Sequence, residues 1–353
     1  MPGLPMYPYL AVDQFLQTLL GTRALASALE LGVIDVLADE ASSAPALAAR
    51  LRLDGNGCLL LTELLRHAGM LEQHGDALAL SDAFRAALAF RDLMEAKIAF
   101  STLLLPDLVQ GLTALVADPP AFLARSRALA LFRYDRALDT AADNLADTER
   151  WLRLTTVLTR YEAAPLLDRL PLGGHFRLLD IGGNSGELAR QALARHPQLR
   201  AVVADLPAVC ALGRRHLAQA PERARIEFLA GDALTAPLPT DCDLVCFKSM
   251  LHDWPEAQAR TLLSRAVAAL RPGGRVVIFE RRRLEQLAAP PAFGQLPVLL
   301  FAGFYRTADF YVQTLTGLGL MGIEAEVVEL DLPFMLVTAH KPTAGAAAPH
   351  RQG

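Results

Sequence analysis

Phe176-Arg177-Leu178-Leu179-Asp180-Ile181-Gly182-Gly183-Asn184-Ser185-Gly186 runs from an apolar strand pattern into a tight glycine turn, and Glu187 through Leu199 continues as an amphipathic helix. A strand, a Gly-rich turn and a helix in that order bring backbone amides up against a bound small molecule. A dinucleotide fingerprint needs G-x-G-x-x-G, and Ile181 stands where its first glycine belongs. What remains is D-x-G-G-x-x-G, with Asp180 two residues ahead of the turn. A carboxylate there repels a pyrophosphate but suits a ligand carrying an ammonium or a sulfonium. The expected cofactor is therefore S-adenosylmethionine (SAM) rather than NAD.

Outward from this turn, short apolar strands at 176–181, 200–204, 225–229, 242–247, 275–280 and 334–340 alternate with helices near 186–196, 207–219, 256–270 and 307–318. That alternation predicts an α/β fold, a doubly wound, Rossmann-like parallel sheet. Such sheets bind ligands outside the carboxyl ends of their strands. Asp180 closes the first strand and Asp205 the second, nineteen residues beyond Gly186, where an acid can accept from ribose hydroxyls. Gly231-Asp232 closes the third, where a carboxylate can take an adenine amino group, and Phe247-Lys248-Ser249 closes the fourth. With Gly182, Gly183 and Gly186 in the turn and Leu206 and Ala233 beside the two acids, these residues make up the expected cofactor site. Each acid alone has a plainer use, as a helix cap or a turn. Their succession at consecutive strand ends favours the site.

A chain of 353 residues allows two domains and a large core. No unbroken run of 18 apolar residues occurs, which predicts no transmembrane helix, and Met1-Pro2-Gly3-Leu4-Pro5 lacks the regions of a signal peptide. Cys58, Cys210, Cys242 and Cys246 lack metal-ligand spacing and read as buried thiols of a reducing cytoplasm. The net charge of −4 gives no global attraction for nucleic acid. Lysine occurs only three times, at 97, 248 and 341, which singles out Lys248 at its strand end.

Residues 9–38 read as one helix, with Phe15, Leu16, Leu19, Leu20, Leu25, Leu29 and Leu31 at helical spacing. Ser43-Ala44-Pro45 caps a short helix to Leu51, Asn56 opens another through Arg66, and 69–72 and 77–80 form two wing strands around His74-Gly75-Asp76. Helix, turn, helix and wing is a DNA-binding outline, but between Glu40 and Arg85 four arginines stand against six acids. A DNA reader needs a basic face, so these apolar helices are expected to meet a second copy of the chain. Residues 86–170 read as mostly helical, interrupted at Pro106 and at Pro119-Pro120. The expected domains are a winged-helix-like dimerisation domain (1–100), a helical linker contributing to the acceptor pocket (101–170), a SAM-binding domain (171–342) and a disordered tail (343–353).

Asp180-Ile181-Gly182-Gly183, Ala204-Asp205-Leu206-Pro207-Ala208-Val209, Gly231-Asp232 and Leu251-His252-Asp253-Trp254-Pro255 follow one another along the chain. In these motifs the chain resembles the class I SAM-dependent O-methyltransferases. The likeness is to the plant caffeate and acetylserotonin enzymes and the bacterial polyketide and phenazine tailoring enzymes. Ala28-Leu-Glu-Leu-Gly-Val-Ile-Asp-Val-Leu37 is similar to that family's winged-helix dimerisation domain. The resemblance implies a homodimer with interlocked N-terminal helices, acting on a hydroxyl of a small aromatic or polyketide-like metabolite. Two departures stand out. Asn184 replaces the family's third turn glycine; asparagine is the non-glycine residue most tolerant of positive φ, so the turn can survive with an altered cofactor affinity. The family's Gly-x-Glu-Arg-Thr is here Gly303-Phe304-Tyr305-Arg306-Thr307, which puts Tyr305 in place of a glutamate.

Methyl transfer from a sulfonium is an in-line displacement that depends on alignment. A phenol with a pKa of about 10 also needs a base, which histidine provides near neutral pH. His252, just past the fourth strand, is the candidate. In the resembled family a glutamate at the place of Glu280 hydrogen-bonds the catalytic histidine, so that role passes to Glu280. Asp253 is the alternative partner, though its position favours a cap for the helix that starts near Glu256. Tyr305 can donate or accept but holds no charge at neutral pH. That leaves room for C-methylation or for a non-methylating relative that keeps the cofactor. A SAM-responsive winged-helix regulator is a third reading, and the acidic N-terminal balance counts against it. No metal is expected, because His252, Asp253 and Glu256 are too few for an oxygen-rich magnesium site. Arg281-Arg282-Arg283 read either as a solvated basic run or as a clamp for a substrate carboxylate. Phe122, Phe132, Tyr134, Trp151, Phe293, Phe301 and Phe304 are candidates for an apolar acceptor pocket or for ordinary core.

Overall fold

A computed structural model describes residues 7–16, 19–174, 176–283, 301 and 303–343. They divide into two units, one of the described residues through Ala130 and one of those from Leu131 onward. Phe293 and the tail beyond residue 343 lie outside the described residues.

In the first unit the single helix expected over 9–38 is three pieces: a 3₁₀ helix at Pro8–Phe15, α1 at Leu19–Glu30 and α2 at Val33–Asp39. Gly32 separates the last two with φ at 76°, a left-handed conformation that ends a helix. α3 (Ala44–Leu51) starts where the Ser43 side chain accepts from the Ala46 N–H, and α4 (Gly55–His67) where Asp54 accepts from the Gly57 N–H. Each cap satisfies an amide that the first turn leaves open. β1 (Leu71–His74) and β2 (Ala77–Leu80) pair antiparallel as the wing.

α5 (Asp82–Ala87), α6 (Arg91–Ala117), α7 (Pro119–Leu123) and α8 (Arg127–Ala130) complete this unit. Pro106 lies inside α6 and does not break it. Buried Met94, Ile98, Leu104 and Leu108 hold the helix on both sides of the missing N–H, and packing of this kind outweighs local propensity. The break comes at Asp118, whose side chain caps α7 ahead of Pro119. Leu25, Ile34, Leu37, Leu47, Leu65 and Phe84 are core residues of this unit. By length and composition the helical stretch Asp82–Ala117 suffices to cross a membrane, although it contains no unbroken apolar run. Its Val109, Leu112 and Val116 side chains are exposed.

The second unit contains α9 (Ala142–Leu167) and a seven-stranded sheet. The strands are β3 (Arg177–Ile181), β4 (Arg200–Asp205), β5 (Ile226–Ala230), β6 (Cys242–Lys248), β7 (Leu270–Arg281), β8 (Met321–Glu329) and β9 (Pro333–His340). Their order is β5-β4-β3-β6-β7-β9-β8; the first five run parallel, and β9 and β8 are antiparallel to their neighbours. The helices are α10 (Glu187–Arg195), α11 (Pro207–His216), α12 (Glu256–Ala269) and α13 (Ala308–Gly317). Alternate strand residues Leu179, Ile181, Val202, Ala204, Val245, Phe247, Val276 and Ile278 join Leu262, Ala266, Tyr311 and Leu315 in one core, as the two-residue period of a strand requires. The six expected strands are present; β8 is additional.

The chain leaves β3 for β4 and β5 on one side and returns to β6 and β7 on the other. A crevice at the carboxyl ends beside β3 follows from this reversal. The four cysteines are buried free thiols.

Candidate active site

The crevice is a cleft lined by Gly182, Asn184, Asp205, Leu206, Gly231, Asp232, Ala233 and Lys248, together with residues of α9 and of the loop after β6. Asp205 Oδ2 accepts from the Asn184 N–H at 2.8 Å and Oδ1 from the Leu206 N–H at 2.7 Å. Burial pushes its carboxyl up to about 6 against the pull of those two donors. Asp232 Oδ1 accepts from the Leu234 N–H at 2.8 Å. An ionised carboxylate offers about four lone-pair sites, so both acids keep acceptor capacity toward the cleft.

The turn between β3 and α10 is shaped by its glycines. Gly182 has φ at 68°, and a Cβ there would stand 2.3 Å from Met250 Cγ; a Cβ on Gly183 would stand 2.6 Å from Asp180 Cγ. Gly186 is the N-cap of α10. Asn184 holds the left-handed conformation at φ 58°, and its Oδ1 accepts from the Ser185 N–H at 2.8 Å. Asp180 lies behind the turn rather than on the cleft wall. It is 1% exposed, and neither carboxylate oxygen has a hydrogen-bond partner among the described residues. Burial foremost, then Asp205, raises its carboxyl to about 7, while Lys248 pulls the other way. An orphaned carboxylate under an open turn and two acceptor acids on the wall fit a cationic methionyl group joined to adenosine.

Past β6, the short 3₁₀ turn Leu251–Asp253 carries His252. His252 Nδ1 lies 2.7 Å from Glu280 Oε2, and Glu280 Oε1 accepts the Met250 and Leu251 N–H groups at 2.8 and 2.7 Å. β7 pairs with β6 and so brings Glu280 beside the histidine turn. Burial opposes ionisation of Glu280, but the His252 contact and the two backbone donors hold its carboxyl below the ordinary range. Burial also works to lower the His252 pKa, yet Asp253 and Glu280 outweigh it and the net direction is upward.

Asp253 is not the cap of α12, which begins after Pro255 without a side-chain cap. Its Oδ1 stands 3.4 Å from His252 Nε2, and its Oδ2 accepts from the Tyr134 hydroxyl at 3.0 Å. Tyr305 is buried with its ring centroid 5.2 Å from that of His252, and burial keeps its phenol far above the ordinary range. His252 therefore has acids at both nitrogens, the second from its own loop.

Two further residues, Glu162 and Arg306, were given no role in the sequence reading, and a third, Tyr134, was read only as a pocket aromatic. Glu162, 3% exposed, ion-pairs with Lys248 and with Arg281. Its signal was its phase: Trp151, Thr155, Leu158 and Glu162 recur at three- and four-residue spacing on α9, and all four line the cleft. Tyr134, taken as a pocket aromatic, also anchors Asp253 and meets Trp151 edge-on at 5.5 Å. Arg306 donates through Nη1 to the Leu251 carbonyl at 2.6 Å and through Nη2 to the Trp254 carbonyl, bracketing the histidine turn. Of the basic run, Arg281 turns inward while Arg282 and Arg283 are exposed. Phe132, Phe301 and Phe304 form a chain of ring contacts in this unit, and Phe122 is buried in α7 of the other.

A doubly wound sheet with acids after its second and third strands and a histidine turn after its fourth defines a class I SAM-dependent methyltransferase. Residues 141–319 match the profile of the O-methyltransferase domain, and the chain belongs to that family. It is 30% identical over 266 residues to a 3-hydroxy-5-methyl-1-naphthoate 3-O-methyltransferase of Streptomyces sahachiroi, covering 73% of each chain. It is 29% identical over 263 residues to the N,N-dimethyltransferase OxyT of Streptomyces rimosus, covering 73% of this chain and 74% of the relative. The fold matches human N-acetylserotonin methyltransferase in complex with SAM at a TM-score of 0.73 and 20% identity, over 91% of this chain and 94% of the other. The protein is an O-methyltransferase whose cofactor is SAM.

Proposed function

We propose that the protein methylates a hydroxyl of a small aromatic or polyketide-like metabolite, with His252 as general base. The observation that carries this is the double engagement of one imidazole. Nδ1 meets Glu280 at 2.7 Å and Nε2 faces Asp253 at 3.4 Å. The Nδ1 N–H donates to Glu280 and fixes the ring. Nε2 carries the lone pair that takes the acceptor's proton, and Asp253 stabilises the imidazolium that forms. A neutral amine attacks with its own lone pair, whereas a phenol must lose its proton as it attacks. The apparatus therefore suits a hydroxyl. Tyr305 does not argue against it, because Asp253 provides the charge that the replaced glutamate would have given.

SAM, when bound, supplies an electrophilic methyl group on its sulfonium. Asp205 is assigned to the ribose hydroxyls and Asp232 to the adenine amino group, with Leu206 and Ala233 beside them. Gly182, Gly183 and Gly186 keep the turn open, Asp180 lies beneath it as a counter-charge, and Lys248 closes the wall. Tyr134 and Glu280 position Asp253 and His252, and Tyr305 shapes the acceptor side. The exposed apolar residues Val109, Leu112 and Val116 on α6 and Leu59 and Leu60 on α4 support a homodimer. Domain boundaries near residues 100 and 170, and a cytoplasmic location, belong to the same reading.

A panel of aromatic hydroxy compounds incubated with methyl-labelled SAM tests the activity. Label on oxygen with release of S-adenosylhomocysteine is expected. Label on carbon or nitrogen, or product without S-adenosylhomocysteine, refutes it. Sedimentation at micromolar concentration should show twice the chain mass, and a monomer would remove the dimer.

A further inference from the structure

The turn that carries His252 is held only loosely by its own backbone. The Trp254 N–H reaches the Leu251 carbonyl at 3.3 Å and the Asp253 N–H reaches the Met250 carbonyl at 3.1 Å, long bonds in a 3₁₀ stretch of three residues. Glu280 fixes the entry to the turn through the Met250 and Leu251 N–H groups. Arg306 closes it from the other end. Its Nη1 donates to the Leu251 carbonyl at 2.6 Å and its Nη2 to the Trp254 carbonyl. Those carbonyls flank His252 and Asp253, so one planar cation spans both residues with charge-assisted bonds.

Arg306 is itself braced from α13. Its guanidinium lies 5.0 Å from the centre of the Phe310 ring, and that of Arg260 lies 4.5 Å from the same centre. Arg260, on α12, donates to the Thr314 hydroxyl at 2.7 Å and to Glu256 at 2.9 Å. Arg306 does not line the cleft, so it acts on the reaction through the turn alone. We infer that Arg306 is a positioning residue for methyl transfer, holding the backbone of His252 and Asp253 so that the Asp253 carboxylate stays against Nε2. This rests on the reading of His252 as the base.

The sign of one measurement separates positioning from bare charge. Burial and Arg281 lower the His252 pKa, and Asp253 and Glu280 raise it by more. Taking away a cation by charge alone would move that pKa further up. Releasing the turn lets Asp253 leave Nε2 and moves it down. NMR titration of protein carrying ¹³C-labelled histidine reads this without an acceptor, the His252 signal being assigned by its absence in His252→Ala. The pKa should fall in Arg306→Ala; a value that holds or rises overturns the inference.

With the best acceptor of the aromatic hydroxy panel, Arg306→Ala should lower kcat by about 10- to 100-fold. Its affinity for S-adenosylhomocysteine should stay within about threefold of the wild type. Arg306→Lys, which keeps the charge but not the fork, should fall between the two, and millimolar guanidinium should restore part of the turnover of Arg306→Ala. Phe310→Leu, which leaves Arg306 in place without its brace, should shift the pKa and kcat in the same directions by less, and it carries the test if Arg306→Ala does not fold. Arg260→Ala should keep kcat within about threefold; a loss equal to that of Arg306→Ala would mean general packing of α12 on α13 and overturn the inference. In a His252→Ala background, Arg306→Ala should cost no more than about threefold, whereas a second full loss would place its effect elsewhere. Full turnover in His252→Ala sinks the base reading instead, a result distinct from any failure of Arg306.

Discussion

At the cofactor end of the cleft, each acid is oriented chiefly by backbone close to it. Asp232 accepts from an N–H two residues on, and Asp205 from the next residue and from the turn 21 residues before it. At the base end, partners come from far along the chain. Glu280 reaches His252 across 28 residues, Arg306 reaches Leu251 across 55, and Tyr134 reaches Asp253 across 119. On the proposed assignment, cofactor binding is built into strand ends and tight turns. Activation of the acceptor is then built from tertiary contacts, so it can vary without disturbing the cofactor site.

The sharpest way to break this contrast is His252→Ala. Turnover should fall by about 10²-fold or more, with the affinity for S-adenosylhomocysteine within about threefold of the wild type. A comparable loss of both would mean that the two ends are not separable. Gly182→Ala attacks the other end, through a Cβ 2.3 Å from Met250 Cγ at a φ of 68°. It should lower stability by about 2–3 kcal/mol, read from the urea midpoint, and weaken cofactor binding. A variant as stable as the wild type would show that the turn is not constrained by that contact.

Asp253→Asn is expected to have an intermediate effect, with activity on the basic side of the profile retained to within about tenfold. Its pH profile is the more telling readout. Asp253 and Glu280 raise the His252 pKa against burial, so kcat/KM should rise with pH through a limb above the ordinary imidazole range. Removing the Asp253 charge destabilises the imidazolium, lowers that pKa and moves the limb to lower pH. A limb that stays in place would remove Asp253 from the base. Asn184→Gly should change least. It gives up the Oδ1 contact with the Ser185 N–H and relieves a left-handed backbone, a near cancellation within about 1 kcal/mol that calorimetry of cofactor binding can check.

The same division explains what the sequence made legible. Strand and helix periodicity in the second unit is local, so the six strands, their helices and the acids at their ends could be read directly. The β7 glutamate was reached through the family resemblance, and the β6–β7 pairing puts it beside the histidine turn. Glu162 and Arg306 carry no local motif that states their partners, because each acts on groups brought near only by folding. Asp253 was read as a partner of His252 only in second place for a related reason: its distance from Pro255 suited a cap, and contacts with His252 and Tyr134 made by folding show which way it turns. β8 escaped notice because most of its residues are exposed, which weakens the apolar alternation that marks a strand. In the first unit, Gly32 was a readable break inside an otherwise continuous helical pattern, and its left-handed φ settles it.

Arg306 gives the enzyme a timetable as well as a geometry. Every residue assigned to the adenosine is synthesised by Ala233, and the histidine turn follows soon after. The carbonyls of Leu251 and Trp254 then wait for a guanidinium encoded 55 residues beyond Leu251. At ordinary rates of translation that delay is on the order of seconds. The nascent chain thus carries the residues assigned to the adenosine before the guanidinium that brackets the histidine turn, and with His252 as the proposed base, the power to deprotonate an acceptor is among the last properties the growing polypeptide acquires.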